Sequence, residues 1–255
     1  MVARRGIEPR THGFSDRNHK GVINVYQNRI KIQNVRLLFE QSGTFKTVFK
    51  DMGYKAFSYD IENSFNETDY KLDLFQEIIN ESQGKKSIFN DFDDNDLILA
   101  FFPCTYFSIQ NKLIFSKQVP NFKNWEPGKV TNYINARIKK RDEYYDLFKK
   151  FVNIVKKYKL KTIIENPYSG NYLLQQKEIK KPDVIIKNRR LYGDYYRKPT
   201  MFYFYNFDPS YWSSYLLLTN TISKKINEEN GITRSLIHKD FAYNFINKYV
   251  LGLIK

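Results

Sequence analysis

From Asn34 onward, short runs of β-branched and aromatic residues alternate with longer amphipathic stretches, and this alternation is the strongest constraint on the fold. A regular succession of strand and helix favours parallel strands, because each helix carries the chain back along the sheet. Helices then cover both faces. We therefore predict an α/β fold with a mostly parallel, doubly wound sheet. The predicted strands are 35–39, 55–60, 96–102, 162–165, 184–187 and 201–207.

Three stretches have helical character. Residues 44–53 end at Gly53, a residue type that often follows a helix, and residues 70–82 form a second candidate. In the third, 131–158, apolar residues such as Ile134, Phe148 and Val152 recur at spacings of three and four, with lysine and arginine elsewhere. This pattern predicts a long crossover helix with a basic outer face.

The beginning of the chain lacks hydrophobic periodicity. We expect a disordered basic tail over residues 1–33 and one domain over 34–255. The codons that most naturally encode "GIEP", near the start of the tail, resemble the complement of a tRNA T-arm. We therefore expect that the natural start of the protein lies near Asn34.

Composition excludes several classes of protein. Cys104 is the single cysteine, so an internal disulfide is impossible, and with three histidines it cannot supply a zinc site, so we expect no metal. No span of 18 uncharged apolar residues and no secretory signal is present, so we expect a cytoplasmic protein that does not bind membranes.

The net charge of +15 is unevenly distributed, with acids in excess over 37–100 and lysines and arginines over 101–161. This asymmetry suggests that one side of the domain binds a polyanion. The chain also has 20 Tyr and 21 Phe, which suit base stacking or an aromatic core equally well.

Reactive side chains follow two of the predicted strands. Cys104 follows Pro103 after strand 96–102, and Glu165 and Asn166 end strand 162–165. The carboxyl ends of parallel strands share one edge of the sheet, where ligands bind. Because Cys104 precedes a lysine-rich loop, we expect a lowered thiol pKa, although a lone cysteine is more often a buried core residue. After its apolar run, Glu165 is expected to be partly desolvated and able to donate a proton.

A nucleotide-like loop precedes these residues. Ser42, Gly43 and Thr44 lie between the first strand and the first helix, and Asp60 ends the next strand. Small residues let a ligand approach the backbone, and an acid at the second strand can accept hydrogen bonds from ribose hydroxyls. A plain βαβ unit with a solvated aspartate would have the same residues.

The segments "PCTYFS" and "ENP", downstream of "LFEQSGTF" and "YDIE", resemble in this order the signatures of DNA cytosine-5 methyltransferases, most closely the short phage and prophage members. The resemblance covers roughly residues 34–252 and extends to "DLFQEI", "NRRLYGDYYRKPTMFYFYNFDP" and "RSLIHKDFAYNFI". It implies a Rossmann-like class I S-adenosylmethionine-dependent methyltransferase fold. The target-recognition region would be reduced.

The resemblance also implies a mechanism. The Cys104 thiolate would attack C6 of a cytosine flipped out of double-stranded DNA, Glu165 would protonate N3, and C5 would take the methyl group of S-adenosylmethionine. Asn166 would hold the loop that positions Glu165. Either Arg189 or Arg190 would contact the cytosine O2.

For the cofactor, the resemblance implies that Asp60 binds the ribose and that Asp91 lies beside the adenine, with Asp93 and Asp94 as close alternatives. The usual Phe-x-Gly-x-Gly is altered, because Gln41 replaces the first glycine. Glutamine disfavours a positive φ, and whether this change weakens cofactor binding is left open by the sequence. The remaining predicted cofactor contacts are Phe39, Ser42, Gly43, Thr44, Ile61 and Pro103.

The loop 109–130 interleaves lysines with Phe115, Phe122 and Trp125, which suits phosphates and a displaced base. A lid whose aromatic residues pack on the domain fits the same pattern. Arg234 would contact DNA or form a salt bridge, and His238 would lie at the surface. The predicted nucleic-acid contacts are Lys112, Lys117, Lys123, Trp125, Lys129 and Lys198.

Two other functions remain open. One is a non-catalytic nucleic-acid-binding relative, and the other is an RNA cytosine-5 methyltransferase. A cysteine hydrolase fits poorly, because its nucleophile needs a histidine partner and only His238 lies within the predicted domain. We expect the protein to act as a monomer.

Overall fold

The structure, a computed structural model, describes residues 31–211, 216 and 236–251. Its centre is a seven-stranded sheet with the order β3-β2-β1-β4-β5-β7-β6. Strand β7 runs antiparallel to both of its neighbours, whereas the other pairs are parallel. The strands are β1 Asn34–Leu38, β2 Lys55–Asp60, β3 Tyr70–Lys71, β4 Asp96–Ala100, β5 Lys161–Pro167, β6 Val184–Ile186 and β7 Thr200–Tyr205.

Helices cover both faces of this sheet. On one face, α2 and α4 bury residues such as Ile78 and Phe148 against Ile98 of β4. On the other, α1 and α5 bury Phe45 and Phe245 with neighbouring strand residues. Successive strand residues point to opposite faces, so the apolar runs supply both cores. The helices are α1 Thr44–Asp51, α2 Leu74–Ser82, α3 Ile109–Phe115, α4 Pro127–Lys157 and α5 Lys239–Phe245, which continues as a π-helix over Ile246–Leu251.

The predicted α/β class and mostly parallel sheet are confirmed, and all six predicted strands are present with small shifts of their ends. The chain leaves β1 toward β2 and β3 on one side, and later forms β4 and β5 on the other. The carboxyl ends of β1 and β4 therefore flank a switch point in the strand order, which is where open α/β sheets bind ligands.

The predicted helix 70–82 is wrong at its beginning. Tyr70 and Lys71 form the edge strand β3, and the Tyr70 ring stacks on Tyr59 with 4.7 Å between centroids. The helix starts only after Asp73, whose side chain accepts hydrogen bonds from the amides of Phe75 and Gln76. Such a cap satisfies amides of the first turn and fixes the helix start.

The segment predicted as a loop, 109–130, is largely helical. It contains α3, a 3-10 turn at Pro120–Asn124 and the first turn of α4. Helix α4 begins at Pro127 rather than at residue 131, because proline is favoured in the first turn, where its missing amide hydrogen has no intrahelical partner. Of the predicted tail, residues 1–30 lie outside the described residues, as does Arg234.

The packing of α5 on the sheet provides a test of the core. Phe245 is fully buried, and its ring lies 4.1 Å from that of Phe202 on β7. We expect Phe245→Ala to lower the free energy of unfolding by about 3–5 kcal/mol through lost burial and a cavity. Urea denaturation measures this change. As the control, Leu191→Ala at a 63% exposed position should change stability by less than about 0.5 kcal/mol; equal effects would contradict this packing.

Candidate active site

A cavity of about 790 Å³ opens at the switch point. The segments that follow β1, β2 and β4 line it, together with the end of β5, the start of α2 and residues that precede β7 and α5. Of the predicted catalytic residues, Cys104, Glu165 and Arg189 line this cavity. Of the predicted cofactor contacts, Phe39, Ser42, Asp60, Ile61 and Pro103 do so.

Cys104 lies in the turn after β4, where its carbonyl accepts hydrogen bonds from the amides of Phe107 and Ser108 at 2.9 and 3.1 Å. The predicted lowering of its pKa is wrong. Burial raises the pKa of the Cys104 thiol to about 11, the negative charge of Glu165 adds to this rise, and the charge of Lys198 opposes it. Lys112 and Lys117, whose charge the prediction invoked, are exposed on and after α3.

Glu165 and Asn166 end β5 within one hydrogen-bond network. The Thr200 hydroxyl donates to a carboxylate oxygen of Glu165, and it lies 3.2 Å from the Asn166 carbonyl oxygen. The buried Asn166 side chain donates to the Phe102 carbonyl at 2.8 Å and accepts from Asn171 at 2.7 Å. Asn166 thus ties the end of β5 to the segment that carries Cys104, in addition to its predicted hold on the Glu165 loop.

The structure distinguishes the two candidate arginines. Arg189 is buried, lines the cavity, forms an ion pair with Asp194, and lies 4.7 Å from the Phe241 ring. Arg190 is exposed, is not among the lining residues, and donates to the Tyr195 carbonyl. Only Arg189 is therefore placed to contact a ligand in this cavity.

Lys198, predicted as a nucleic-acid contact, also lines the cavity. Burial lowers the pKa of its amine, and the charge of Arg189 lowers it further. The negative charges of Glu165 and Cys104 act in the opposite direction. The four groups thus form one electrostatically coupled cluster, in which the cation of Lys198 favours the thiolate of Cys104.

The loop after β1 takes an unexpected backbone path. Phe39 has a φ of 59° and Gly43 a φ of 68°, whereas Gln41 is not among the described residues with positive φ. The predicted backbone penalty at Gln41 is therefore wrong, because the left-handed conformation lies at Phe39 and Gly43. The Gln41 side chain instead hydrogen-bonds to Asp60. Gly43 is the residue that must lack a side chain, since a Cβ there would lie 2.7 Å from Glu67 Oε2.

The remaining residues of this loop link it to its surroundings. The Ser42 hydroxyl donates to Glu40, and the Thr44 hydroxyl donates to the Ile237 carbonyl, which precedes α5. Burial raises the pKa of Asp60, against the effect of hydrogen bonds from the Glu62 and Ile61 amides. Asp60 therefore lies where the sequence predicts, at the end of β2 and beside the cavity.

The predicted adenine neighbour, Asp91, lies away from the cavity lining. It is exposed in a 3-10 turn, Ile88–Asp91, and is not among the residues that line the cavity. The acid of that region that does line the cavity is Asp73, which caps α2 beside Leu74 and Phe75. Its position in the "DLFQEI" segment was the available signal, because an aspartate just before an apolar helix is a typical cap.

Glu40 was missed by the sequence predictions. It is only 4% exposed and lines the cavity. One carboxylate oxygen accepts from Ser42 at 2.8 Å, and the other, Oε2, has no hydrogen-bond partner among the described residues. Burial raises the pKa of Glu40 to about 7. The sequence signal that could have identified Glu40 was the one used for Glu165, a carboxylate directly after an apolar strand.

The basic segment after Cys104 packs on α4. Arg137 donates two hydrogen bonds to Asn111, and Asn111 in turn donates to the Thr105 carbonyl beside Cys104. Trp125 and Phe122 pack against each other and against Tyr133 of α4, so the interpretation as aromatic residues packed on the domain fits better than free stacking surfaces. The exposed lysines of this segment are Lys112, Lys117, Lys123 and Lys129.

His238, expected at the surface, is half-buried and caps α5 by accepting a hydrogen bond from the Asp240 amide.

In the part of the chain that the structure describes, no helix is long and apolar enough to cross a membrane. Over the same residues, no group of three His, Cys, Asp or Glu side chains is arranged to hold a metal ion. No protein-family model and no curated protein matches the chain.

The buried carboxyl of Glu40 should make stability depend on pH. Its pKa rises from an ordinary 4.5 to about 7 on folding, so the folded state loses stability as the pH rises from 4.5 through 7. The free energy of unfolding of Glu40→Gln should therefore rise relative to that of the wild type, and the difference should be about 2–3 kcal/mol larger at pH 8 than at pH 5. Urea denaturation at both values measures the gain; a pH-independent difference would contradict the burial of an ionisable carboxyl.

The raised thiol pKa predicts slow alkylation of Cys104. At pH 8 we expect iodoacetamide to react about 100-fold more slowly than with a free thiol, and the rate to rise about tenfold per pH unit from pH 7 to 9. Mass spectrometry follows the labelling. Lys198→Met should slow it further, because this change removes the cation that lowers the thiol pKa. A rate that levels off below pH 8 would show a preformed thiolate instead.

Proposed function

We propose that the protein is an S-adenosylmethionine-dependent methyltransferase that acts on C5 of cytosine in DNA. The observation that carries the proposal is the convergence of Cys104, Glu165 and Arg189 on one cavity, beside the loop after β1. These residues belong to segments that resemble cytosine-5 methyltransferase signatures. The mostly parallel seven-stranded sheet is compatible with the Rossmann-like fold which that resemblance implies.

The residues around the cavity fit the proposed cofactor, S-adenosylmethionine, which would supply the methyl group. Asp60 can accept hydrogen bonds from ribose hydroxyls. The rings of Phe39, Phe75 and Phe102 lie 5.5–5.7 Å apart and offer an apolar wall for a purine. The unpartnered oxygen of Glu40 offers an acceptor for a donor group of the ligand.

The catalytic residues can activate a cytosine placed beside them. Attack of the Cys104 sulfur on C6 makes C5 nucleophilic, and the developing negative charge at N3 is offset by a proton from Glu165. Arg189 would bind the O2 oxygen of the base. Because the thiol pKa is raised, the nucleophile must lose its proton after the substrate binds, and the cation of Lys198 favours that loss.

DNA is the proposed substrate because the cavity lies beside a basic segment. Lys112, Lys117, Lys123 and Lys129 are exposed on α3, on the 3-10 turn and on α4, where they can contact phosphates. A base inside a duplex is inaccessible to a thiol that lines a cavity, so the target cytosine would be flipped into the cavity. We propose that the protein acts as a monomer in the cytoplasm of a bacterial or phage-infected cell.

Methyl transfer provides the test. The purified protein should convert cytosine in unmodified duplex DNA to 5-methylcytosine, measured by mass spectrometry of the nucleosides. Cys104→Ala should abolish the product, and Glu165→Gln should lower the rate by about 100-fold or more, because a positioned acid contributes that much. As the control, Arg190→Ala should leave the rate of methyl transfer unchanged, because this exposed arginine does not line the cavity.

The other outcomes discriminate the alternatives. Product in RNA but not in duplex DNA would favour the RNA methyltransferase. A folded protein that binds DNA but yields no product from either nucleic acid, with cofactor present, would overturn the proposed activity in favour of the non-catalytic relative.

A further inference from the structure

Glu40 lines the cavity with a buried carboxylate oxygen that no described residue satisfies. It follows β1 directly, its side chain is almost inaccessible, and it lines the cavity. Ser42 donates to its Oε1, but no described residue donates to its Oε2. A buried carboxylate oxygen without a partner is costly, so such groups in native structures call for a ligand, water or ion.

A purely structural role does not explain a carboxylate here. The hydrogen bond from Ser42 could equally be accepted by an amide side chain, which would remain neutral when buried. The raised pKa of Glu40 shows that ionisation at this position is unfavourable in the free protein. A group that destabilises the fold at neutral pH is typical of functional sites.

The protein compensates the charge of Glu40 only in part: hydrogen bonds from Ser42 and from the backbone of Thr44 and Phe45 lower its pKa, but burial outweighs them. Lys46 of α1 is the cation that acts on it, but the ammonium of Lys46 lies 3.1 Å from Glu67 and 3.4 Å from Asp69. The other charged residues on this side of the cavity are also acids: Asp60, Glu62 and Asp73. The side next to β1 and β2 therefore favours a cationic group, whereas Arg189 and Lys198 lie with Cys104 and Glu165.

We propose that Glu40 binds the ammonium group of the amino-acid part of the cofactor, through the carboxylate oxygen that has no protein partner. This inference rests on the proposed function. An ammonium supplies both the N–H donor and the positive charge that this oxygen lacks, whereas a sulfonium has no hydrogen to donate. Asp60, at the next strand end, remains the acceptor for the ribose.

Two adenosyl ligands isolate this contact. S-adenosylhomocysteine carries the ammonium, and 5′-methylthioadenosine has the same nucleoside without the amino-acid part. Calorimetry should show that Glu40→Gln weakens binding of S-adenosylhomocysteine by about 10- to 100-fold, the effect of losing a hydrogen bond to a charged group. Binding of 5′-methylthioadenosine should change by less than about threefold, because that ligand lacks the group that Glu40 contacts.

Controls separate this contact from a bracing role. Asp51→Asn removes an exposed carboxylate outside the cavity lining and should leave both affinities unchanged. Glu40→Met, which removes both oxygens, should reproduce the contrast between the ligands if the glutamine variant proves unstable. An equal loss for both ligands would mean that Glu40 only braces the loop, and no loss for either would mean that it does not bind the cofactor; each result overturns the inference.

Failure of the proposed function gives a different result. If the wild-type protein binds neither adenosyl ligand, the proposed function falls, and the assignment of Glu40 falls with it. If the wild type binds both ligands and the glutamine variant binds them equally well, only the assignment of Glu40 falls.

Discussion

The parallel pairing of β1 with β4 is the constraint on which the rest of the structure depends. It aligns Leu38 with Ala100, and the Phe101 amide continues the pairing by donating to the Leu38 carbonyl at 2.9 Å. The segments that follow both strands must therefore leave the sheet side by side. One carries Glu40 and the glycine turn, and the other carries Cys104. Asn166 extends this arrangement to β5 through its bond to the Phe102 carbonyl.

The cavity combines ionisable groups whose charged forms are disfavoured by burial. Burial raises the pKa of Cys104 and Glu40 and lowers that of Lys198. The free protein thus holds a thiol and a carboxyl that resist ionisation, and it sacrifices stability to keep them buried. A bound ligand that supplies compensating charge would reverse these preferences, which is how a cavity of this kind can limit reactivity to the bound state.

Much of the architecture could be predicted from sequence because strands buried on both faces are nearly continuous apolar runs. Because the carboxyl ends of parallel strands share one edge of the sheet, the sequence also predicted that Cys104 and Glu165 lie close together. Strand β3 was missed because two residues show no periodicity; its pairing depends on the stacking of Tyr70 on Tyr59. Sequence did not indicate that Asp73 rather than Asp91 lines the cavity, because acids look alike until the fold shows which of them faces it.

The wrong predictions for the Cys104 pKa and for the Gln41 backbone have a common cause. The lysines after Cys104 suggested a lowered thiol pKa, but they lie on exposed surfaces while desolvation dominates at the sulfur. Likewise, Gln41 was judged by the φ of the glycine it replaces, whereas in this loop Phe39 takes the left-handed conformation. Local sequence can indicate which side chains are near each other, but the degree of burial and the backbone path depend on tertiary packing.

The central claim is that Cys104 attacks a cytosine placed in the cavity, and trapping of the covalent intermediate tests it most directly. The protein would be incubated with S-adenosylmethionine and duplex DNA containing 5-fluorocytosine, which blocks release of the enzyme after methyl transfer. Peptide mapping by mass spectrometry should find the nucleotide on the peptide that contains Cys104. A folded, DNA-bound protein that forms no adduct, or an adduct that persists in Cys104→Ser, would contradict the account.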